Sequence, residues 1–265
     1  MEPRSELKRF QEASGPKGLS MMSGSYAADS EVHAFVPELV PQPLAFGTYS
    51  TDPNTHFYLC EYVKMKDDIL SPREWAAAVS LLHTRSMGRG PSTRFGFDVT
   101  THLANVPVNN SWNMSWVDFW TQQMRGLFDQ EANKHEEDLE MARLSEIFLQ
   151  SVIPRYLGPL ESHGRTVTPC LIHSDLWPGN IKPRADGTGV CMFDACAFWG
   201  HHEADLGICR NPRYNLRQPA IEEYKKLHSL SEPIDEFDQR NAVYAMKFHV
   251  LLSIMYFEVE RFRDM

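Results

Sequence analysis

Leu171-Ile172-His173-Ser174-Asp175-Leu176-Trp177-Pro178-Gly179-Asn180, followed by Phe193-Asp194, decides how this chain is read. A short apolar run, Pro169 to His173, leads into a loop of Asp, Pro, Gly and Asn; a second run, Gly189 to Phe193, ends in Asp194. Between them Ala185-Asp186-Gly187-Thr188-Gly189 carries the residues of a hairpin turn, so the segment predicts two strands with acids at their mouths. Upstream, Ser71-Pro72-Arg73-Glu74 is a helix start: serine caps, proline takes the first helical position, and glutamate closes the capping box. Ser115-Trp116-Val117-Asp118 opens another helix, and residues 133–152 keep a helical character, with Leu139, Leu144, Ile147 and Phe148 on one face. His56 to Val63 alternates and is aromatic, which predicts a strand. Tyr26 to Phe35 predicts a short helix stopped by Pro37, while residues 1–24 show no period. From about Ile221 onward the pattern is mostly helical. The most apolar stretch, Val250 to Val259, is too short to span a bilayer and reads as a buried helix. Few strands, many helices and one acid-bearing hairpin make an α+β pattern with segregated elements.

The spacing His173-x-Asp175-x4-Asn180, with Asp194 after the next strand, matches the arrangement kinases use. The residue types suit that chemistry. Asp175 can accept the proton of an attacking hydroxyl. Asn180 offers a neutral oxygen, and Asp194 a charged one, to a hard cation such as Mg²⁺. Taken singly, Asp and Asn in a Gly/Pro loop are ordinary turn formers; the whole set with its flanking strands carries the reading.

The segment Leu171 to Asn180 resembles the His-Gly-Asp-Leu-Trp-x-Gly-Asn signature of fructosamine kinases and protein-ribulosamine 3-kinases. Phe193-Asp194-Ala195-Cys196-Ala197-Phe198-Trp199-Gly200-His201-His202-Glu203-Ala204-Asp205-Leu206 resembles their second signature. Trp177 separates the chain from aminoglycoside and choline kinases, which usually carry another residue there. Thr93-Arg94-Phe95-Gly96-Phe97, Trp112 and Ser115-Trp116-Val117-Asp118-Phe119 add to the likeness, which covers roughly residues 6–260. The resemblance implies a protein-kinase-like, aminoglycoside-phosphotransferase-like two-lobed fold. Residues 1–63 would be the remnant of an incomplete N-terminal ATP-binding β lobe with its hinge. Residues 64–265 would be a mainly helical C-terminal lobe holding the catalytic loop and substrate site. It also implies ATP-dependent phosphorylation, with Mg²⁺, of the 3-hydroxyl of a ketosamine on glycated proteins or small ketosamines. By position Asp175 would be the base, Asn180 and Asp194 the metal ligands, and Glu61-Tyr62-Val63 the hinge that meets adenine. Lys8 stands about where the family's phosphate-binding lysine strand ends. Three departures bear on this: Ser174 replaces a glycine, the chain starts too late for a glycine-rich loop, and Ser25 stands where a glutamate should pair with the lysine. A catalytically impaired protein on the same fold and a kinase for a free small molecule are the alternatives.

Composition fits and narrows the reading. The chain has 265 residues, 42% hydrophobic and 23% charged, with a formal net charge of −9. An acidic surface makes nucleic acid a poor partner, and ATP, itself an anion, requires local positive charge at its site. Five cysteines, an odd number with no CxxC pair, suggest neither a disulfide framework nor a zinc knuckle and fit a reducing, cytoplasmic setting. No apolar stretch follows Met1 to Ser5, so no signal peptide and no membrane association is expected; the oligomeric state is left open. Secondary candidates have bland readings beside them. His201-His202 near Cys196 and Cys209 fits no standard zinc spacing and reads as packing near the acidic loop. Glu203 and Asp205 either shape a pocket or cap a helix. Trp112, Trp116, Phe119 and Trp120, at helical spacing, read as core before they read as a sugar platform. His83 reads as a core-edge residue and Cys60 as a small hydrophobe in a strand.

Overall fold

The computed structural model describes residues 8–214 and 216–263, with the backbone alone for Lys8, Arg9, Arg217 and Glu260. The chain opens with strand β1 (Lys8–Ser14), helix α1 (Gly15–Phe35), and strands β2 (Pro43–Thr48) and β3 (Thr55–Glu61). The three strands form an antiparallel sheet in the order β1-β3-β2, with Gln11 opposite Tyr58 and Thr48 opposite His56. Alternation in β3 turns His56, Tyr58 and Cys60 inward, as expected for a half-buried strand. Phe10, Tyr49 and Phe57 cluster on the outer face.

Helix α1 begins far earlier than Tyr26, in the stretch where no period is visible. Its glycines explain the discrepancy. A Cβ on Gly18 would stand 2.5 Å from the backbone of Ala13 in β1, and one on Gly24 would stand 2.5 Å from the carbonyl oxygen of Thr100. Close approach of the helix to its neighbours demands residues that give no apolar signal. Met22, Tyr26 and Phe46 fill the space against Tyr58 and Cys60, while Ala28, Val32 and Val36 sink into the large core of the rest of the molecule.

Helix α2 (Pro72–Ser86) starts on the expected capping box: Glu74 N–H donates to Ser71 Oγ, and Ser71 N–H donates to Glu74 Oε2. A small hairpin, β4 (Thr101–Leu103) with β5 (Val106–Val108), precedes α3 (Trp116–Ala132), which Ser115 caps. The helical reading of residues 133–152 is interrupted. Asp138 caps α4 (Leu139–Ile147), which passes through a π-helical turn, Phe148–Val152, into α5 (Ile153–Leu157).

The acid-bearing region differs from expectation in its pairing. β6 (Cys170–Ile172) does not pair with the second apolar run, β8 (Val190–Met192). β8 closes the predicted 185–189 hairpin with β7 (Ile181–Pro183), and β6 pairs with β9 (Phe198–Gly200), Leu171 facing Trp199. β6, β8 and β9 are each three residues long and buried at every position, so no alternation exists to reveal their partners. A 3₁₀ segment, His202–Arg210, then α6 (Arg217–Lys225) and α7 (Phe237–Met255) complete the fold. α7 crosses the core but ends at Met255. Residues 255–259 are exposed, where a buried helix to Val259 was expected. Past the helix, Tyr256 and Phe257 lie beneath the cations of Arg213 and Lys134. No helix of the described residues is long and apolar enough to cross a membrane. All five cysteines are free and buried.

Adding a methyl group where α1 crosses the β4–β5 hairpin must push backbone against backbone. Gly24→Ala is therefore expected to lower unfolding stability by about 1–3 kcal/mol, measured by urea denaturation; an unchanged midpoint would contradict the packing described.

Candidate active site

Asp175 follows β6 in a loop that is held from several sides. Trp75 Nε1–H of α2 donates to the Leu176 carbonyl at 3.1 Å. Asn180 Nδ2–H donates to the Asp175 carbonyl at 3.0 Å and to Asp175 Oδ2 at 2.8 Å. Two acceptors around one nitrogen fix which way the Asn180 amide faces, and its Oδ1 points elsewhere. The Trp177 ring covers Gly179, whose missing Cβ would stand 2.0 Å from the indole. Trp177 stays 37% exposed and stacks on Tyr214 with ring centroids 5.5 Å apart.

Asp194 lies beyond β8 with φ +57, an uncommon left-handed conformation for a non-glycine residue. Its Oδ1 accepts from Gln11 Nε2 of β1 at 3.1 Å. The main chain of Phe193 donates to the Asn180 carbonyl at 3.0 Å, so the loops of Asp175, Asn180 and Asp194 are tied together. Burial pushes the Asp175 carboxyl up to about 7; Lys247 pulls it down and Asp194 pushes it further up. Asn180 Oδ1 and Asp194 Oδ2 take no hydrogen bond from the described residues. By chemistry alone, one neutral and one charged oxygen would suit Mg²⁺ and not a soft metal.

Glu61, Tyr62 and Val63 follow β3 and link the sheet to the rest. Glu61 N–H donates to the Gln42 carbonyl at 2.8 Å, and Glu61 Oε2 accepts from Gln42 N–H at 3.2 Å. Tyr62 is 46% exposed. The chain then runs beside the β7–β8 hairpin, where Ala185 N–H donates to the Lys64 carbonyl and Lys66 N–H to the Pro183 carbonyl. Lys8 opens β1 opposite Glu61, and its side chain lies outside the described residues. Among the described side chains of this strand, that of Gln11 reaches Asp194.

Several contributors were not legible as such. Asp205, in the 3₁₀ segment, neither caps a helix nor lines a cleft. It is buried, its Oδ2 accepts from His173 N–H at 2.9 Å and from His83 Nε2 at 3.1 Å, and its Oδ1 accepts from Ser174 N–H at 2.6 Å. Asp29 of α1 accepts from Ala195 N–H at 3.2 Å and from the Tyr58 hydroxyl at 2.9 Å, joining helix, sheet and Asp194 loop. Lys247 of α7 donates to Ser174 Oγ. The only advance signals were isolated charges in otherwise apolar neighbourhoods.

Behind Asp205 runs a chain of buried rings and hydroxyls. Trp116 Nε1–H can only donate, and does so to the Tyr244 hydroxyl. The Asp205 carboxylate can only accept. With both ends fixed, each hydrogen in between has one direction: Tyr244 to His201, His201 to Ser231, Ser231 to His202, His202 to Tyr224, Tyr224 to His83, and His83 to Asp205. Every imidazole in this chain can be satisfied while neutral. His201, His202 and Glu203 have ligand atoms within 4.8 Å of one another. The imidazole nitrogens are nevertheless occupied, and Glu203 is paired with Arg240 at 2.8 Å, so the cluster is structural. Trp116, Phe119 and Trp120 are at most 1% exposed and belong to the core.

The fructosamine kinase family matches residues 8–263. The chain belongs to that family. It is 36% identical to mouse ketosamine-3-kinase over 115 residues, 43% of this chain and 35% of that protein. To the chloroplastic protein-ribulosamine 3-kinase of Oryza sativa subsp. indica it is 24% identical over 199 residues, 75% of this chain and 55% of that protein. The matched part thus spans about a third to just over half of these relatives' length. A structure from Haemophilus somnus 129PT, provisionally named a fructosamine-3-kinase, has a TM-score of 0.72 at 16% identity, over 96% of this chain and 79% of that one. A thermostable mutant of aminoglycoside phosphotransferase APH(4)-Ia, solved with AMP-PNP and hygromycin B, has a TM-score of 0.65 at 14% identity, over 99% of this chain and 83% of that one. At such identities the superpositions show the fold alone: this fructosamine kinase family member is an α+β protein of the kinase-like class, as the resemblance of its Asp175–Asp194 segment implied.

The neutral imidazoles make stability depend on acid. Burial, chiefly, holds His201 and His202 well below the ordinary histidine range, helped by Arg240 and neighbouring imidazoles. Below about pH 6.5 the unfolded chain binds protons at these rings and the folded chain does not, so stability falls with pH by up to about 1.4 kcal/mol per unit for each ring. Asp175, raised to about 7, opposes this as a single group over the same window. The urea midpoint is expected to drop between pH 6.5 and 5, and to drop less steeply in His202→Gln; an identical slope in that variant would sink the assignment.

Proposed function

We propose that the protein phosphorylates the 3-hydroxyl of a ketosamine, with ATP as donor and glycated protein lysines or small ketosamines as acceptors. The observation that carries this reading is that Asn180 holds the Asp175 carboxylate through its amide, while the main chain of Phe193, next to Asp194, is bonded to the Asn180 carbonyl. In this reading residues 1–63 supply the nucleotide-facing sheet and hinge, and residues 64–265 supply the catalytic loop and substrate side. Lys8 is a candidate contact for the phosphates.

Asp175 accepts the proton of the attacking hydroxyl, and its raised basicity matches that task near neutral pH. Asn180 does two jobs: its amide N–H aims Asp175 Oδ2, and its oxygen would serve with Asp194 as a ligand to the cation. Mg²⁺ bound there would neutralise the charge of the transferring phosphoryl group. Trp177, stacked on Tyr214 and partly exposed, offers an apolar wall beside the loop for the carbon face of a sugar.

A second reading has an observation of its own. Gln11, a neutral amide, reaches Asp194 from β1, and Ser25 occupies α1 where the resemblance places the acidic partner of a lysine. A protein that binds nucleotide on this fold without turning it over is compatible with both.

Asp175→Asn keeps the size and one oxygen of the side chain but removes the base. It is expected to cut ribulosamine or fructosamine phosphorylation by about 10³-fold or more while leaving the unfolding midpoint and the Mg-ATP thermal shift in place. Turnover retained in this variant rules out the role of base. A wild-type thermal shift with Mg-ATP but no turnover on free or lysine-linked ketoses selects the second reading.

A further inference from the structure

Ser174 is 3% exposed and sits immediately before Asp175 with φ +69, in the left-handed region that favours glycine. A serine survives there because it is held at both ends. Its N–H donates to Asp205 Oδ1 at 2.6 Å, and its Oγ accepts from Lys247 Nζ. Lys247 is itself 1% exposed. The ammonium lies 4.9 Å from the Phe198 ring centroid on β9 and 5.8 Å from that of Trp120 on α3. Three elements that share no sequence neighbourhood therefore place one cation on one hydroxyl. Burying a lysine is costly unless it is paired, and Ser174 Oγ is its hydrogen-bond partner among the described residues.

We propose that Lys247 is a positioning residue: with Ser174 it forms a lock that fixes the strained turn before Asp175 and so aims the Asp175 carboxylate into the cleft. The proposal rests on the reading of Asp175 as the base. Both partners are buried, so neither touches substrate or nucleotide: the pair acts through the loop it holds, alongside the pull of the Lys247 charge on the Asp175 carboxyl. Where a glycine occupies this turn, neither strain nor hydroxyl arises and no buried cation is required. Ser174 and Lys247 thus make sense as a pair and not singly, which sets the form of the test.

The variants are S174G, K247M and S174G/K247M, each followed by urea denaturation, by hydrogen exchange of the amides of residues 173–176, and by kcat and KM. S174G leaves a buried ammonium without its partner and is expected to lower the unfolding midpoint most. The double variant removes both members and is expected to be more stable than S174G alone. K247M is expected to lower kcat about tenfold or more, with KM for Mg-ATP within about twofold, and to speed exchange in the loop. S174G/K247M should regain most of the kcat and the slower exchange, since glycine takes the turn unaided.

Additive stabilities across the four proteins would overturn the lock. So would a K247M that is less stable but keeps wild-type kcat and loop exchange, since Lys247 would then be a core residue only. If the wild type phosphorylates no ketosamine, the proposed function fails, and the stability cycle and loop exchange still decide for or against the lock.

Discussion

The carboxylate of Asp205 is the point on which the candidate site hangs. It lies fully inside the protein, where an ionised group is tolerated only if its oxygens are saturated. Saturation comes from the N–H groups of His173 and Ser174 and from His83. Because both main-chain donors belong to the turn before Asp175, the electrostatic need of Asp205 becomes a geometric constraint on that turn. Bonds to backbone are also indifferent to side chain. Such an anchor tolerates a serine in a glycine position, provided the serine hydroxyl and the left-handed φ are dealt with, and Lys247 lies where it can do so.

The acid of the anchor is balanced by hydrogen bonds and by the nearby charge of Lys247. His83 carries the near end of a one-way run of hydrogen bonds whose far end is the indole of Trp116. The run crosses α2, α3, α6, α7 and the 3₁₀ segment, so one network orients helices that are distant in sequence. Its members are aromatic or hydroxylic, and they bury large apolar faces while their polar tips are paired. Glu203 and Arg240, adjacent to it, form the buried full ion pair, bidentate at 2.8 and 3.0 Å. Arg240 also donates to the carbonyls of Ser231 and Pro233, which holds Ser231 in line with His201 and His202. Among the described residues the interior is itself acidic: Asp29, Glu131, Glu203 and Asp205 are buried, against the buried cations Arg240 and Lys247.

How much of this could be read beforehand follows from whether the signal was local. The Ser71 capping box and the β7–β8 turn are decided within a few residues, and both stand where expected. The loop from His173 to Asn180 has a spacing dictated by chemistry, and its family resemblance agrees with the fold. Helix α1 was largely missed because Gly18 and Gly24 answer to β1 and to Thr100, neighbours that a periodicity count does not see. The partner of β6 was misassigned because three consecutive buried residues look alike whichever strand they face. Asp205, Gln11 and Lys247 were not legible for a related reason. Each is a single polar residue whose meaning is set by a group 31 to 183 positions away, among them Ser174 at a separation of 73 and Asp194 at 183.

The sheet side of the cleft illustrates a further consequence. Kinases commonly register the helix after the lysine strand through an ion pair, which can open and close and so serve as a switch. In this protein the registration seen between α1 and the Asp194 loop runs through Asp29, which takes the N–H of Ala195, one residue past Asp194, and the hydroxyl of Tyr58 on the central strand. Rotating α1 outward would break both bonds, so the helix and the Asp194 loop resist separation. The bond from Gln11 to Asp194 adds a direct tie from β1 to the same loop. Helix, sheet and Asp194 loop are consequently tied to one another through Asp29 and Gln11.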